Sequence, residues 1–323
     1  MELRSLEPSL LVDRDGITVV RSQGQEALQS RFHLYCAAKP LTAIAAIGIL
    51  ERRGISLGSA IGDVLESQDS GWYPWMASRE LTIAAILRHD AGLDLPDAAQ
   101  ILMLDKMSRH RLLARVTPSA TRAYSEYVAG FLLEAVCRAV GETVEHAVGA
   151  MMVSAGAPCD IFRSTGPIAL PVARLSDGRE VPMLSEVLDE VGERIGPSFD
   201  ALMTPLGYAS FYRALLLAMC GEDLPGWPSA LGLSWALSTP RSEFDRRLRR
   251  VSSFSGGLMA DLHQLTPNRL SPRTVGHVSG YSGTFGLVDP TRAVGYVFVS
   301  NSIEFDFRAI SARRSELLEM DLP

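Results

Sequence analysis

The hydrophobic and polar positions divide the chain into three stretches. At the amino end, residues 10–12 and 17–21 read as short strands around Asp13-Arg14-Asp15-Gly16, a sequence suited to a tight turn, and residues 32–35 form a third extended piece. That piece runs straight into an apolar helix over about 36–53, ended by Gly54. Residues 81–154 carry a helical pattern, clearest at 82–87 and 127–140. Residues 160–205 are richer in Pro and Gly, with a hairpin around Leu175-Ser176-Asp177-Gly178, and read as a lid or a long surface excursion. Strands return at 277–279, 284–288 and 294–300, with Asp289-Pro290 at a turn, before a final helix over 308–318. The expected fold is therefore α/β of the α+β type. An antiparallel sheet is built from residues 1–35 and 256–323 and carries the last helix, while residues 36–255 form a mostly helical lobe.

Composition narrows the classes. With 47% apolar and 21% charged residues and a mean hydropathy of +0.11, the chain reads as an ordinary soluble globular protein. A net charge of -6 argues against a nucleic-acid partner, and the cluster Arg246, Arg247, Arg249 and Arg250 reads as a solvated helix face. The longest apolar runs, of about ten residues as at 41–50, are too short to span a bilayer. The amino terminus shows no basic segment followed by an apolar run, so a cytoplasmic location is expected. Cys36, Cys137, Cys159 and Cys220 have no CxxC spacing and are expected to be free thiols; six scattered histidines give no metal site. Phosphate-loop, GxSxG and HExxH signatures are absent, and Gly280, Gly283 and Gly286 fit a bent strand better than a dinucleotide turn.

Chemistry concentrates at Phe32-His33-Leu34-Tyr35-Cys36-Ala37-Ala38-Lys39-Pro40. A helix beginning at Cys36 places Cys36 and Lys39 one turn apart on the same face, where the helix amino end and a neighbouring ammonium both favour the thiolate. Pro40 is tolerated because first-turn N–H groups have no intrahelical partner. The alternative is that Cys36 is a small buried hydrophobe and Lys39 a surface charge. Only two of the 31 basic residues are lysines, Lys39 and Lys106, so a lysine falls on a given position by chance about 0.6% of the time. Lys106, beside Asp105 and Met107, reads as an ordinary surface charge.

This segment resembles the SxxK motif of the serine β-lactamase and penicillin-binding-protein superfamily, especially the class C β-lactamase, DD-peptidase and esterase branch, with Cys36 where the family has serine. Three further landmarks follow in the family's order. Leu81 to Leu93, LTIAAILRHDAGL, resembles the family's helix and turn; Tyr124-Ser125-Glu126 resembles its YxN motif, with Glu126 in place of the asparagine. Gly276-His277-Val278-Ser279-Gly280-Tyr281-Ser282-Gly283 resembles the third motif with one extra residue. The likeness spans about 10–315 and is poor over 160–255.

The resemblance implies a Cys36 nucleophile, a proton-transfer pair of Lys39 and Tyr124, and an oxyanion hole made by the backbone N–H groups of Cys36 and Tyr281. It implies substrate-binding positions at Glu126, His277, Ser279 and Gly280, with His277, Ser279 or Val278 facing the pocket, and a structural hydrogen-bonding role for His89. Cys137 and Cys220 are expected in the core, and Trp72, Tyr73 and Trp75 near the pocket. No cofactor is implied. A cysteine gives a thioester intermediate, more reactive toward amines relative to water than an ester, which points from β-lactam hydrolysis toward acyl transfer, amide formation or cyclisation in a biosynthetic pathway. The partners expected are a small-molecule acyl donor, including a carrier-bound or coenzyme A thioester, and an acceptor, with no nucleic acid and no membrane. Glu126 would hold Lys39 protonated or bind an amine acceptor, or else faces outward on a shifted turn. Two other readings are an esterase or amidase of the same fold and an inactive binding protein; retention of Lys39 and Tyr124 argues against the second.

Overall fold

The amino-terminal turn is fixed by one side chain. Asp13 accepts the backbone N–H groups of Asp15 and Gly16, both at 2.8 Å, and so reverses β1 (Ser9–Val12) into β2 (Ile17–Arg21). A computed structural model describes residues 6–65, 81–93, 119, 121–125, 128–157, 172–174, 180–182, 198, 201–238, 240–280, 282–303 and 306–323. Its helices are α1 (Gln25–Gln29), α2 (Lys39–Arg52), α3 (Ile61–Leu65), α4 (Ile83–Leu87), α5 (Val128–Ala139), α6 (Val144–Ser154), α7 (Pro205–Met219), α8 (Ala230–Leu237) and α9 (Phe307–Asp321). Short strands β3 (Phe32–His33), β4 (Val172–Arg174), β5 (Glu180–Pro182) and β6 (Leu202–Met203) precede the carboxy-terminal set. That set is β7 (Arg241–Asp245), β8 (Arg250–Ser255), β9 (Leu258–Met259), β10 (Val275–Val278), β11 (Phe285–Asp289), β12 (Val294–Phe298) and β13 (Ser302–Ile303).

The main sheet has eight antiparallel strands in the order β2-β1-β12-β11-β10-β9-β8-β7. Its centre joins the two ends of the chain, since Ser9 pairs with Phe298 and Val12 with Gly295. This mixed architecture, an antiparallel sheet from both termini with helices around it, is the one expected. Two details differ from the sequence reading. The sheet reaches back into residues 241–255, and Arg246, Arg247 and Arg249 lie on the β7–β8 hairpin turn, not on a helix face. Arg250 belongs to β8 and pairs with Asp261 at 2.9 Å. A run of arginines is polar in either geometry, so periodicity could not separate turn from helix.

The sheet has two differently covered faces. Residues directly opposite in an antiparallel pair share a face, so His277, Gly286 and Val297 lie on one side. Phe285, Leu287, Tyr296 and Phe298 lie on the other, where Tyr296 donates to Asp321 of α9 at 2.6 Å and Arg313 of α9 stacks over Phe298. On the His277 side, α7 packs against β11; a Cβ on Gly286 would come within 2.1 Å of the Tyr212 ring, so only glycine admits that approach. Helix α2 is apolar all round and buried from Lys39 through Leu50, as expected of a helix enclosed by others. Gly257, at φ +80°, lets the β8–β9 turn touch it, because a Cβ there would lie 2.2 Å from that of Ala43. Gly54, at φ +66°, follows the end of α2.

Candidate active site

The chain enters the site from β3, which pairs with β6; the Leu34 N–H donates to Ala201 at 3.0 Å. Tyr35 then adopts φ +49°, a left-handed conformation costly for a residue with a Cβ, and turns the backbone from strand into a 3₁₀ turn over Tyr35–Ala38 that continues as α2. In 3₁₀ geometry residues i and i+3 lie one above the other, so Cys36 and Lys39 share a face, and the Lys39 N–H donates to the Cys36 carbonyl. The expected helix start at Cys36 is thus a tighter turn, with the α-helix beginning at Lys39. Tyr208 of α7 anchors the turn by donating to the Ala37 carbonyl at 2.9 Å. Cys36 is a thiol in no disulfide, 4% exposed, and Lys39 is 5% exposed, so the surface-lysine alternative does not hold.

Tyr124 reaches the site from a short buried segment, 122–125. The Ser125 N–H donates to His89 Nδ1 at 2.9 Å, and the Ser125 hydroxyl accepts the Ala129 N–H of α5 at 2.9 Å. Arg122, fully buried, donates through Nε to Asp90 at 2.9 Å and through Nη1 to the Ser252 carbonyl of β8 at 2.7 Å. These bonds present the Tyr124 ring to Lys39, whose Nζ lies 5.2 Å from the ring centroid. Around that pair, ring centroids of Tyr124 lie 4.8 Å from His89, 5.7 Å from Phe254 and 5.9 Å from His277.

Both histidines are neutral. Burial pushes the His277 imidazolium down to about 3, helped by the charge of Lys39, and burial with Lys39, His277 and Arg122 holds His89 well below its ordinary value. His277 Nδ1 lies 2.9 Å from the Val278 carbonyl; a carbonyl only accepts, so Nδ1 carries the proton and Nε2 is left as a buried acceptor. Of His277, Val278 and Ser279, which the sequence left open, His277 is the one turned toward Tyr124. The Ser279 hydroxyl is turned into its own loop, accepting the Ser282 N–H at 3.3 Å, and Val278 lies on the opposite face from His277.

The structure therefore gathers Cys36, Lys39, Tyr124 and His277, with Gly280 half-buried just beyond β10. Glu126, Tyr281, Trp72, Tyr73, Trp75, Cys159, Lys106 and the turn 175–178 lie outside the described residues. Phe254, Arg122 and Asp90 were not singled out by sequence; the adjacency of Arg122 to Tyr124 is the one local signal, and its partners lie far along the chain. Cys137 is buried on α5, its thiol pushed up to about 12 by burial and by Glu134, while Cys220, half-buried, ends α7. Among the described residues no three His, Cys, Asp or Glu side chains gather as a metal site, and no helix is long and apolar enough to cross a membrane.

The model of the beta-lactamase family matches residues 9–319 of the chain. Among solved structures, it is similar to a novel penicillin-binding protein homologue from Caulobacter crescentus, at 19% identity and TM-score 0.66 over 98% of this chain and 92% of that one. It is similar to simvastatin synthase (LovD) from Aspergillus terreus, at 16% identity and TM-score 0.69 over 98% and 94%. A family VIII carboxylesterase aligns at 16% identity and TM-score 0.66 over 96% and 92%. At these identities the likeness establishes the shared fold. No curated protein sequence matches the chain.

Proposed function

The chain belongs to the beta-lactamase family, and from that premise we propose that it is a cysteine-dependent acyltransferase or amide synthase, acting through an acyl-thioester on Cys36 in a biosynthetic pathway. What carries the reading is the pairing of a Cys36 thiol with Lys39 one turn on, and of Lys39 with the Tyr124 ring at 5.2 Å. In the proposed reaction Lys39 and Tyr124 take the thiol proton, and the thiolate attacks the acyl carbonyl of a small-molecule ester or thioester donor. Backbone N–H groups at Cys36 and beyond β10 hold the oxyanion while the C–S bond forms. The leaving group departs with the returned proton; an amine acceptor then attacks the thioester, its C–N bond forming as the C–S bond breaks, and its proton passes through Tyr124 and Lys39 back to the Cys36 sulfur. The buried Nε2 of His277 supplies an acceptor for a substrate N–H or O–H. Glu126 is proposed to bind an amine acceptor.

A second reading, hydrolysis of small esters or amides, is favoured by the fold shared with a carboxylesterase. One experiment separates the two. The protein is incubated with p-nitrophenyl acetate, its intact mass is followed, and the acetyl group is chased with water alone or with an added primary amine. Acyl transfer predicts an acetyl adduct mapping to Cys36, absent in Cys36→Ala, and released faster by the amine. Release by water at a rate that no amine changes supports the hydrolase, and a Cys36→Ala protein that still turns over the ester overturns both.

A further inference from the structure

Arg314 is a buried cation of α9 on the side of the sheet that faces away from His277. Burial pushes its guanidinium down to about 9, and among the described residues no carboxylate pairs with it. Its donors go to backbone carbonyls at the two ends of the turn between β10 and β11. Nη2 donates to Ser279, and Nε lies 3.5 Å from the Gly283 oxygen. A desolvated charge without a counter-ion is costly, and an aliphatic side chain of similar volume would fill the space without that cost. A role in holding these two carbonyls accounts for its presence.

The direction of that hold matters for chemistry. The turn is pinned internally, with the Ser279 N–H on the Thr284 carbonyl at 2.7 Å and Gly283 at φ +70°. The peptide between Ser279 and Gly280 is trans, so its N–H points opposite to its carbonyl. The carbonyl is drawn toward α9, where Arg313 stacks on Phe298 and Asp321 receives Tyr296. The Gly280 N–H is therefore turned to the other side of the sheet, the side of His277, α7 and the Cys36 turn. Among the described residues no hydrogen bond takes up that N–H, and Gly280 is half-buried, so a substrate oxygen can reach it.

We propose that Arg314 is a positioning residue for the oxyanion hole: by holding the Ser279 and Gly283 carbonyls from behind the sheet, it aims the Gly280 N–H at the carbonyl oxygen of an acyl group on Cys36. The inference rests on Cys36 being the acylated residue, and it moves the strand-side donor from the expected Tyr281 to Gly280. When the thiolate attacks an ester, the C–S bond forms, the carbonyl π pair moves onto oxygen and is held by the two N–H groups, and its return expels the alkoxide. Alkylation of the same sulfur by iodoacetamide expels iodide and builds no oxyanion.

The test compares those two reactions at one sulfur. Wild type, Arg314→Met and Arg314→Lys are treated with p-nitrophenyl acetate, reading p-nitrophenolate release and the acetyl mass on the Cys36 peptide, and separately with iodoacetamide, reading Cys36 carbamidomethylation. Removing one oxyanion donor costs roughly 10²-fold in rate, so Arg314→Met is expected to slow acetylation about that much and to leave alkylation within about twofold. Arg314→Lys, which keeps the charge but reaches one carbonyl, is expected to lie between, and it decides the matter alone if Arg314→Met does not fold. Equal slowing of both reactions, or of neither, overturns the positioning role. A wild-type protein that is never acetylated at Cys36 overturns the underlying reading instead, and is told apart because it fails before any variant is made.

Discussion

Arg122 and Lys39 are both buried beside Tyr124, and their surroundings differ in kind. Arg122 spends its donors on a carboxylate and on carbonyls of the distant β7–β8 hairpin, so its charge is neutralised and its fork fixed. Lys39 presents its ammonium to an aromatic face, and its charge is felt by two histidines that stay neutral in its presence. The first arrangement closes a joint between elements. The second sets an amine, its Nζ 5.2 Å from the Tyr124 ring centroid, one turn from the thiol whose proton it is proposed to exchange. Substituting each in turn should therefore give opposite results on stability and on chemistry.

The largest effect is expected at the joint. Arg122→Met leaves the Asp90 carboxylate with Arg88 as its remaining partner, at 2.8 Å, and takes a donor from the carbonyls of Arg241 and Ser252, and should cost about 3 kcal/mol of unfolding free energy. Urea denaturation measures it; a loss below about 1 kcal/mol would mean that Arg122 is not the joint. Next comes Lys39→Met, expected to slow acetylation of Cys36 by about 10³-fold while stability changes by less than about 1 kcal/mol, since methionine fills the same apolar space. If the urea midpoint falls as far as in Arg122→Met, the contrast between the two cations is wrong.

The same contrast explains what the sequence could and could not disclose. Cys36 and Lys39 were legible because they are local: one turn of helix, a lysine in an arginine-rich chain and a strand running into an apolar segment all sit within nine residues. The sheet was legible from short apolar runs bounded by turn residues at both termini, Asp13 to Gly16 and Asp289-Pro290 among them. Arg122 was not, since the carbonyl it binds at Ser252 lies 130 residues away and nothing in a single arginine codes for burial. Arg314 was hidden for the same reason, reading as one more charge on an arginine-bearing helix. The β7–β8 hairpin was read as helix face because its exposed positions, Phe244 and Val251 among arginines, break the strand alternation that would have marked it.

A third, smaller effect follows from the histidines that burial, helped by Lys39, keeps neutral. Folded His277 holds its proton only below about pH 3, whereas its ordinary value is 6.5. Between those values the unfolded chain binds a proton that the folded chain refuses, so stability is intact above pH 6.5 and declines as pH falls, by about 1.4 kcal/mol per pH unit from this residue. Unfolding followed from pH 7 to pH 5 should show a slope that His277→Phe reduces by that amount. Lys39→Met should also lessen it, because removing the cation lets His277 accept a proton more readily; Arg122 is not among the charges acting on His277 and should leave the His277 part of the slope unchanged. Parallel pH profiles for wild type and His277→Phe would rule out the buried neutral imidazole.

The smallest effect separates the joint from the chemistry within one residue. Ser125 serves both: its N–H donates to His89 Nδ1 and its hydroxyl accepts the Ala129 N–H in the first turn of α5. Ser125→Ala removes the hydroxyl and keeps the N–H, so the loss should resemble that of a helix cap, about 1 kcal/mol in urea unfolding. The backbone bond that orients His89 against Tyr124 survives, and acetylation of Cys36 should stay within about twofold of wild type. A rate that falls tenfold or more in Ser125→Ala would mean that the hydroxyl itself takes part in placing Tyr124, and that joint and chemistry are not separable along 122–125.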